Sequence, residues 1–134
     1  MELIFVFIPI LVILGLLGVF SYFYFGGRKL DISEKDRVSI FEEQAGGKFN
    51  GFNLTIPFVR HTIYENCIVI AYGKSHHTLE FEKIVKVDVK RHLFSKGITY
   101  HHNIKNIPSN CIVWSKNPSK VEALLKSKGV NVGT

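Results

Sequence analysis

Leu3-Ile4-Phe5-Val6-Phe7-Ile8-Pro9-Ile10-Leu11-Val12-Ile13-Leu14-Gly15-Leu16-Leu17-Gly18-Val19-Phe20-Ser21-Tyr22-Phe23-Tyr24-Phe25 is a run without one charged side chain. As a helix rising about 1.5 Å per residue it covers slightly more than a hydrocarbon core about 30 Å thick. The run therefore predicts a single transmembrane helix within an anchor of residues 1–27. A secretory signal is shorter, with a basic start and a small-residue cleavage site. Here the start carries Glu2 and no Ala-x-Ala pattern follows, so retention of the segment is expected. Pro9 is tolerated in a lipid-embedded helix. Tyr22 and Tyr24 close the run as an interfacial belt, and Gly26-Gly27 break it. Arg28 and Lys29 follow at once. By the positive-inside rule they place the N-terminus outside and the rest of the chain in the cytoplasm. The expected location is the inner membrane of the cell, crossed once. Gly15 and Gly18 lack the Gly-x-x-x-Gly spacing of a helix-packing face.

Outward from this run, the chain of 134 residues leaves room for one further domain. All 17 Lys and Arg lie beyond Gly27, so that part is more basic than the whole chain's +6. A basic body held beside a bilayer is drawn to anionic head groups. No basic run of the kind that binds nucleic acid occurs, and none is expected as a partner. Cys67 and Cys111 each sit in an apolar stretch, which predicts buried free thiols.

Residues 28–48 read as a juxtamembrane linker with a short helix. Ser33 and Asp36 resemble a capping box, Val38, Phe41 and Ala45 share one face, and Gly46-Gly47 stop it. From residue 49 the period becomes that of strands. Phe52, Leu54 and Ile56 alternate with polar residues until Pro57 interrupts, and Val59–Tyr64 follows. Glu65-Asn66 makes a turn, Cys67–Tyr72 a strand, Gly73-Lys74-Ser75 another turn, and Leu79 with Phe81 a short strand. Val85, Val87 and Val89 point inward between Lys86, Asp88 and Lys90. Gly97–His102 and Cys111–Trp114 are further strands, separated by a loop holding Pro108. Asn117-Pro118 then starts a helix with Val121, Leu124 and Leu125 on its apolar face, and Gly129 ends it. The fold class is α+β, mainly β. A transmembrane helix precedes a small antiparallel barrel of six or seven strands over residues 49–134, closed by a C-terminal helix.

This order resembles the pleckstrin-homology-like (PH-like) domains of bacterial membrane proteins. The resemblance rests on Val59–Tyr72 as an opening hairpin, Leu79–Val87 as strand, bend and strand, Lys96–His102 as a strand entry, and Ile112–Pro118 as the closing strand leading into a helix. It covers residues 50–130. It implies a module that binds a partner protein or a membrane surface. Lipid-binding members of the wider family carry basic residues in the loop between the first two strands, whereas here that loop holds Glu65 and no Lys or Arg. Fold likeness alone assigns neither function.

Chemistry is sparse. His61, His76, His77, His92, His101 and His102 lack metal-ligand spacing and read as surface residues, so no metal or cofactor is expected. There is no Gly-x-Ser-x-Gly elbow, and Gly46-Gly47-Lys48 lacks the Walker spacing. Asn53-Leu54-Thr55 is a sequon that a cytoplasmic domain never presents to the glycosylating enzyme. No catalytic residue is assigned. The candidate membrane or partner surface is basic: Lys74, Lys86, Lys90, Arg91 and Lys96. The candidate membrane interface is Tyr22, Tyr24, Arg28 and Lys29. The expected function is a membrane-anchored, non-enzymatic interaction or scaffold module. Its expected partners are the lipid bilayer, anionic lipid, and a membrane or cytoplasmic protein. The alternative is a small accessory subunit of a membrane enzyme or transporter complex.

Overall fold

A computed structural model describes residues 2–91 and 96–133. Its first element, α1 (Glu2–Gly26), is one continuous helix, long and apolar enough to cross a membrane. Its side chains are exposed as far as Tyr22, and partial burial begins only where it meets the sheet, at Phe23, Tyr24 and Gly26.

The sheet has eight strands: β1 (Phe41–Phe49), β2 (Phe52–Ile63), β3 (Cys67–Tyr72), β4 (Ser75–Glu80), β5 (Ile84–Arg91), β6 (Lys96–His102), β7 (Cys111–Ser115) and β8 (Val132–Gly133). Their order is β4-β3-β2-β1-β7-β6-β5-β8. All pairings are antiparallel except the short β5–β8 pair, which the sequence reading did not foresee. The sheet curls around one core, because Ile63, Ile68 and Ile70 from one half pack in one cluster with Val87, Ile98 and Tyr100 from the other. Helix α2 (Pro118–Ser127) buries Val121 and Leu125 in the same cluster. Pro118 stands at its first turn, and Gly129, at φ +79°, takes the left-handed turn that ends it.

The linker is where the sequence reading fails. No helix spans residues 33–45: a single 3-10 turn at Ile32–Glu34 is followed by extended chain and β1. Phe41, Glu43 and Ala45 point inward while Glu42 is exposed, which is the two-residue period of a strand. Inward Glu43 hid that period, because a carboxylate at a core position breaks the apolar alternation. β1 thus brings residues 41–48, read as linker, into the sheet. Gly46-Gly47 do not stop a helix. They lie in β1 at a register shift, where a Cβ on Gly46 would meet the Leu54 carbonyl oxygen at 2.7 Å and the Trp114 ring at 3.0 Å.

Three smaller corrections follow. Pro57 does not interrupt β2, which runs through it. The opening hairpin is β1–β2, turning at Asn50-Gly51, and Val59–Tyr72 belongs to the second hairpin. Residues 81–83 form a 3-10 turn rather than strand, and a register shift after Ile84 turns Val85 outward and Ile84 inward. Cys67 and Cys111 are free and buried, as expected.

Overpacking a full core costs about 1–3 kcal/mol. Gly46→Ala should lower the stability of the detergent-solubilised chain by that much, read as an earlier midpoint in chemical denaturation followed by Trp114 fluorescence. An unchanged midpoint would contradict the close approach of β1 to Leu54.

Candidate functional site

The junction between α1 and the sheet is built around one buried cation. Arg60 stands on β2 with only 3% of its surface exposed, against Glu34 at 1%. Arg60 Nη1 donates to Glu34 Oε1 at 2.7 Å and Nη2 to Oε2 at 2.9 Å, a two-pronged pair. Nη1 also donates to Thr62 Oγ1 at 3.0 Å, Nε to the Gly27 carbonyl at 2.6 Å, and Nη2 to the Lys29 carbonyl at 3.5 Å. Each N–H of the guanidinium fork therefore faces an acceptor. Glu34 further accepts from Tyr64 Oη at 2.8 Å and from the Asp31 amide at 2.9 Å.

Burial pushes the Glu34 carboxyl up, but the bonds from Arg60, Asp31 and Tyr64 outweigh it and hold it below its ordinary 4.5. Burial and the Glu34 carboxylate push the Tyr64 phenol up to about 12. The 3-10 turn at Ile32–Glu34 aims Glu34 back under the chain leaving the helix, so the whole linker from Gly27 to Glu34 is fastened to β2.

The expected interface residues serve this junction. Tyr22 packs its ring against Gly73, and its hydroxyl accepts from the Lys74 amide at 3.3 Å. The Arg28 guanidinium lies 3.9 Å from the centre of the Tyr24 ring and donates to Gln44 Oε1 at 2.9 Å. The Lys29 carbonyl lies 2.7 Å from His76 Nε2. Lys74, in the β3–β4 turn, borders the same cleft as Tyr22 and Lys29.

The remaining basic residues fall elsewhere. Lys86 and Lys90 are exposed on β5, and Arg91 pairs in register with Lys96 of β6. β5 is four strands from β2 in the sheet order, and Lys74 stands in the β3–β4 turn. Lys86 Nζ is 3.2 Å from Asp88 Oδ1, and His101 Nε2 is 2.9 Å from Asp88 Oδ2. Those two bonds hold the Asp88 carboxyl below the usual range. His92 lies outside the described residues.

Beside the junction an apolar cleft of about 580 Å³ separates α1 from β2. Ile13, Leu16, Leu17 and Phe20 form one wall, and Asn53, Leu54, Thr55 and Phe58 form the other. Phe58 meets the Phe20 ring edge-on at 5.2 Å, and Phe23 lies 6.1 Å from Phe52.

His61 is not a surface residue. It is fully buried, with Nε2 2.7 Å from Tyr100 Oη and Nδ1 3.5 Å from Glu43 Oε1. Ser115 Oγ donates to Glu43 Oε2 at 2.9 Å. Burial pushes Glu43 up, while His61 and Ser115 pull it below the ordinary carboxylate value. A hydroxyl, an imidazole and a carboxylate in line satisfy part of the logic of nucleophilic catalysis. All four are buried, however, and burial holds the Tyr100 phenol well above its ordinary value. The cluster is a polar strut inside the core. Among the described residues no group of three His, Cys, Asp or Glu gathers to hold a metal.

Sequence reasoning missed Arg60, Glu34, Tyr64, His61 and Glu43. One signal was present: Arg60 is the lone Lys, Arg, Asp or Glu between Lys48 and Glu65, and a strand with a single charge requires a partner for it. No protein-family model matches this chain, and no curated protein sequence matches it.

Removing one member of a buried ion pair costs about 3–5 kcal/mol. Arg60→Met should destabilise the chain by that much in chemical denaturation, while Arg60→Met with Glu34→Leu recovers much of the loss. Because the folded-state value of Glu34 is depressed, its contribution is full above pH 4.5 and fades as pH falls through the folded value. Glu34→Gln should therefore make the acid limb of the stability–pH curve shallower. An unaltered acid limb would contradict the ionised pair.

Proposed function

We propose that this chain is a membrane-anchored, non-enzymatic interaction module of PH-like fold, holding its sheet domain in a fixed pose on the cytoplasmic face of the inner membrane. The observation that carries this reading is the Arg60 clamp. A tether that only confined a domain needs no order after the span, whereas here Gly27, Lys29 and Glu34 are all bonded to β2. Contact of α1 with Gly73 and Phe58 also supports retention of the helix, since a cleaved signal has no reason to pack on the mature domain. The PH-like reading is supported by the antiparallel run β4-β3-β2-β1-β7-β6-β5 and by α2 packed in its core. The turn of the true opening hairpin, Asn50-Gly51, carries no Lys or Arg, so the basic loop of lipid-binding relatives has no counterpart there.

The basic residues divide by position. Arg28, Lys29 and Lys74 sit at the end of α1 and suit anionic head groups, each adding about 1 kcal/mol of attraction. Lys86 and Lys90 stand on the far side of the curled sheet, four strands from β2, and suit an acidic surface on a partner protein. The alternative is a small accessory subunit of a membrane enzyme or transporter. In its favour, α1 is exposed over residues 3–19, with open space beside Gly15 and Gly18.

Affinity purification of the full chain from its own membranes in mild detergent tests this. A protein should co-purify with the wild type and be lost with Lys86→Glu/Lys90→Glu, while both forms remain in the membrane fraction after alkaline washing. Equal recovery from both forms would move the contact to α1 and favour the subunit reading. Release of the chain by alkali would end both.

A further inference from the structure

The geometry points to a second membrane contact: the tip of the β1–β2 hairpin inserts into the bilayer beside α1, and a lipid acyl chain fills the cleft between them. This rests on α1 being the span. The helix touches the hairpin at Phe20 and Phe23, through the Phe20–Phe58 and Phe23–Phe52 rings, and from Phe20 back to Ile13 it lines one wall of the open cleft. Suppose the hairpin stayed in water without leaving the helix. Everything from Phe20 onward would then be in water too, and residues 2–19 would span only about 27 Å of a core about 30 Å thick. Contact at Phe20 and Phe23, near the end of α1, therefore places the hairpin at the level of the head groups and upper acyl chains.

The hairpin is composed for that position. From Phe49 to Val59 no side chain is charged, between Lys48 and Arg60. Phe52 is 51% exposed and Ile56 48%, where a water-facing strand would carry polar residues. Asn53 and Thr55 are polar but uncharged, which the boundary region accepts. β2 pairs with β3 only over Arg60–Ile63. The outer edge of residues 52–59 therefore needs head groups and water for its N–H and C=O groups, which limits insertion to the head-group and upper acyl region. The occupant of the cleft follows from its walls. One wall is the spanning helix itself, and the opposite wall offers Leu54 and Phe58, so the cleft opens onto acyl chains.

Trp114 is the only tryptophan, so in a Trp114→Phe background single tryptophans report their own surroundings. The full chain is reconstituted in phosphatidylcholine vesicles whose acyl chains carry bromine, a contact quencher. Leu14→Trp reports the span, Phe52→Trp and Ile56→Trp the hairpin, and Val85→Trp the exposed face of β5. The expected result is several-fold stronger quenching of the first three than of Val85→Trp. If Leu14→Trp is quenched but Phe52→Trp and Ile56→Trp match Val85→Trp, the span stands and the insertion is wrong. If Leu14→Trp escapes quenching, the span and the insertion fall together. Blue-shifted but unquenched emission from Phe52→Trp means that protein covers the face, which also overturns the proposal. Phe52→Cys with Trp114 intact reads the same point independently. In vesicles with the sheet domain outside, a water-soluble maleimide should modify it several-fold more slowly than Val85→Cys, and equal rates would refute the insertion.

Discussion

An arginine cannot be taken out of water without compensation, and Arg60 is almost wholly out of water. That constraint organises the protein. The guanidinium needs acceptors on every side, and β2 itself supplies only Thr62. The others are the carbonyls of Gly27 and Lys29 and the carboxylate of Glu34, all on the chain that leaves α1. The linker is therefore ordered because the sheet requires it. Desolvation offsets much of the Coulomb energy of such a pair. Its consequence is geometric: the end of α1 and the middle of β2 form one body.

Residues 59–63 of β2 are buried on both faces of the sheet. Side chains alternate along a strand, so consecutive residues serve different structures. Arg60 faces the linker, while His61 reaches the core and meets Tyr100 and Glu43. One strand thus connects the junction with α1 to the interior. The polar strut at His61 joins β1, β2, β6 and β7 through Glu43, His61, Tyr100 and Ser115, which is the set of strands that bridges the two halves of the sheet.

What was legible in the sequence was whatever a single period or turn residue encodes. The uncharged run gave α1, Cys67–Tyr72 gave β3 to the residue, and Pro118 with Gly129 framed α2. What was not legible depended on a partner distant in the chain. Glu43 at an inward position made β1 look irregular, and only its pairing with His61 and Ser115 restores the alternation. Gly46 and Gly47 read as a helix stop because nothing local reveals that Leu54 and Trp114 press against that point. The basic surface was grouped by closeness in the chain, and its members stand on separate elements, Lys74 in the turn that borders the end of α1 and Lys86 and Lys90 on β5. Arg60 was visible as a solitary charge, but Glu34 as its partner, 26 residues earlier, was not.

The clamp and the hairpin constrain one another. A domain on a loose tether would choose its own depth by the balance of its surface residues, and exposed Phe52 and Ile56 would then be free to turn toward any apolar neighbour. Fastening Gly27 to Arg60 removes that freedom. Once α1 is placed by its own length, the register of β2 against it is fixed, and with it the level of every residue from Phe52 to Phe58. The uncharged stretch from Phe49 to Val59 ends at Arg60, the residue that makes the attachment. Exposed uncharged chemistry on one side of that residue and buried polar chemistry on the other side are therefore two consequences of where one strand meets one helix.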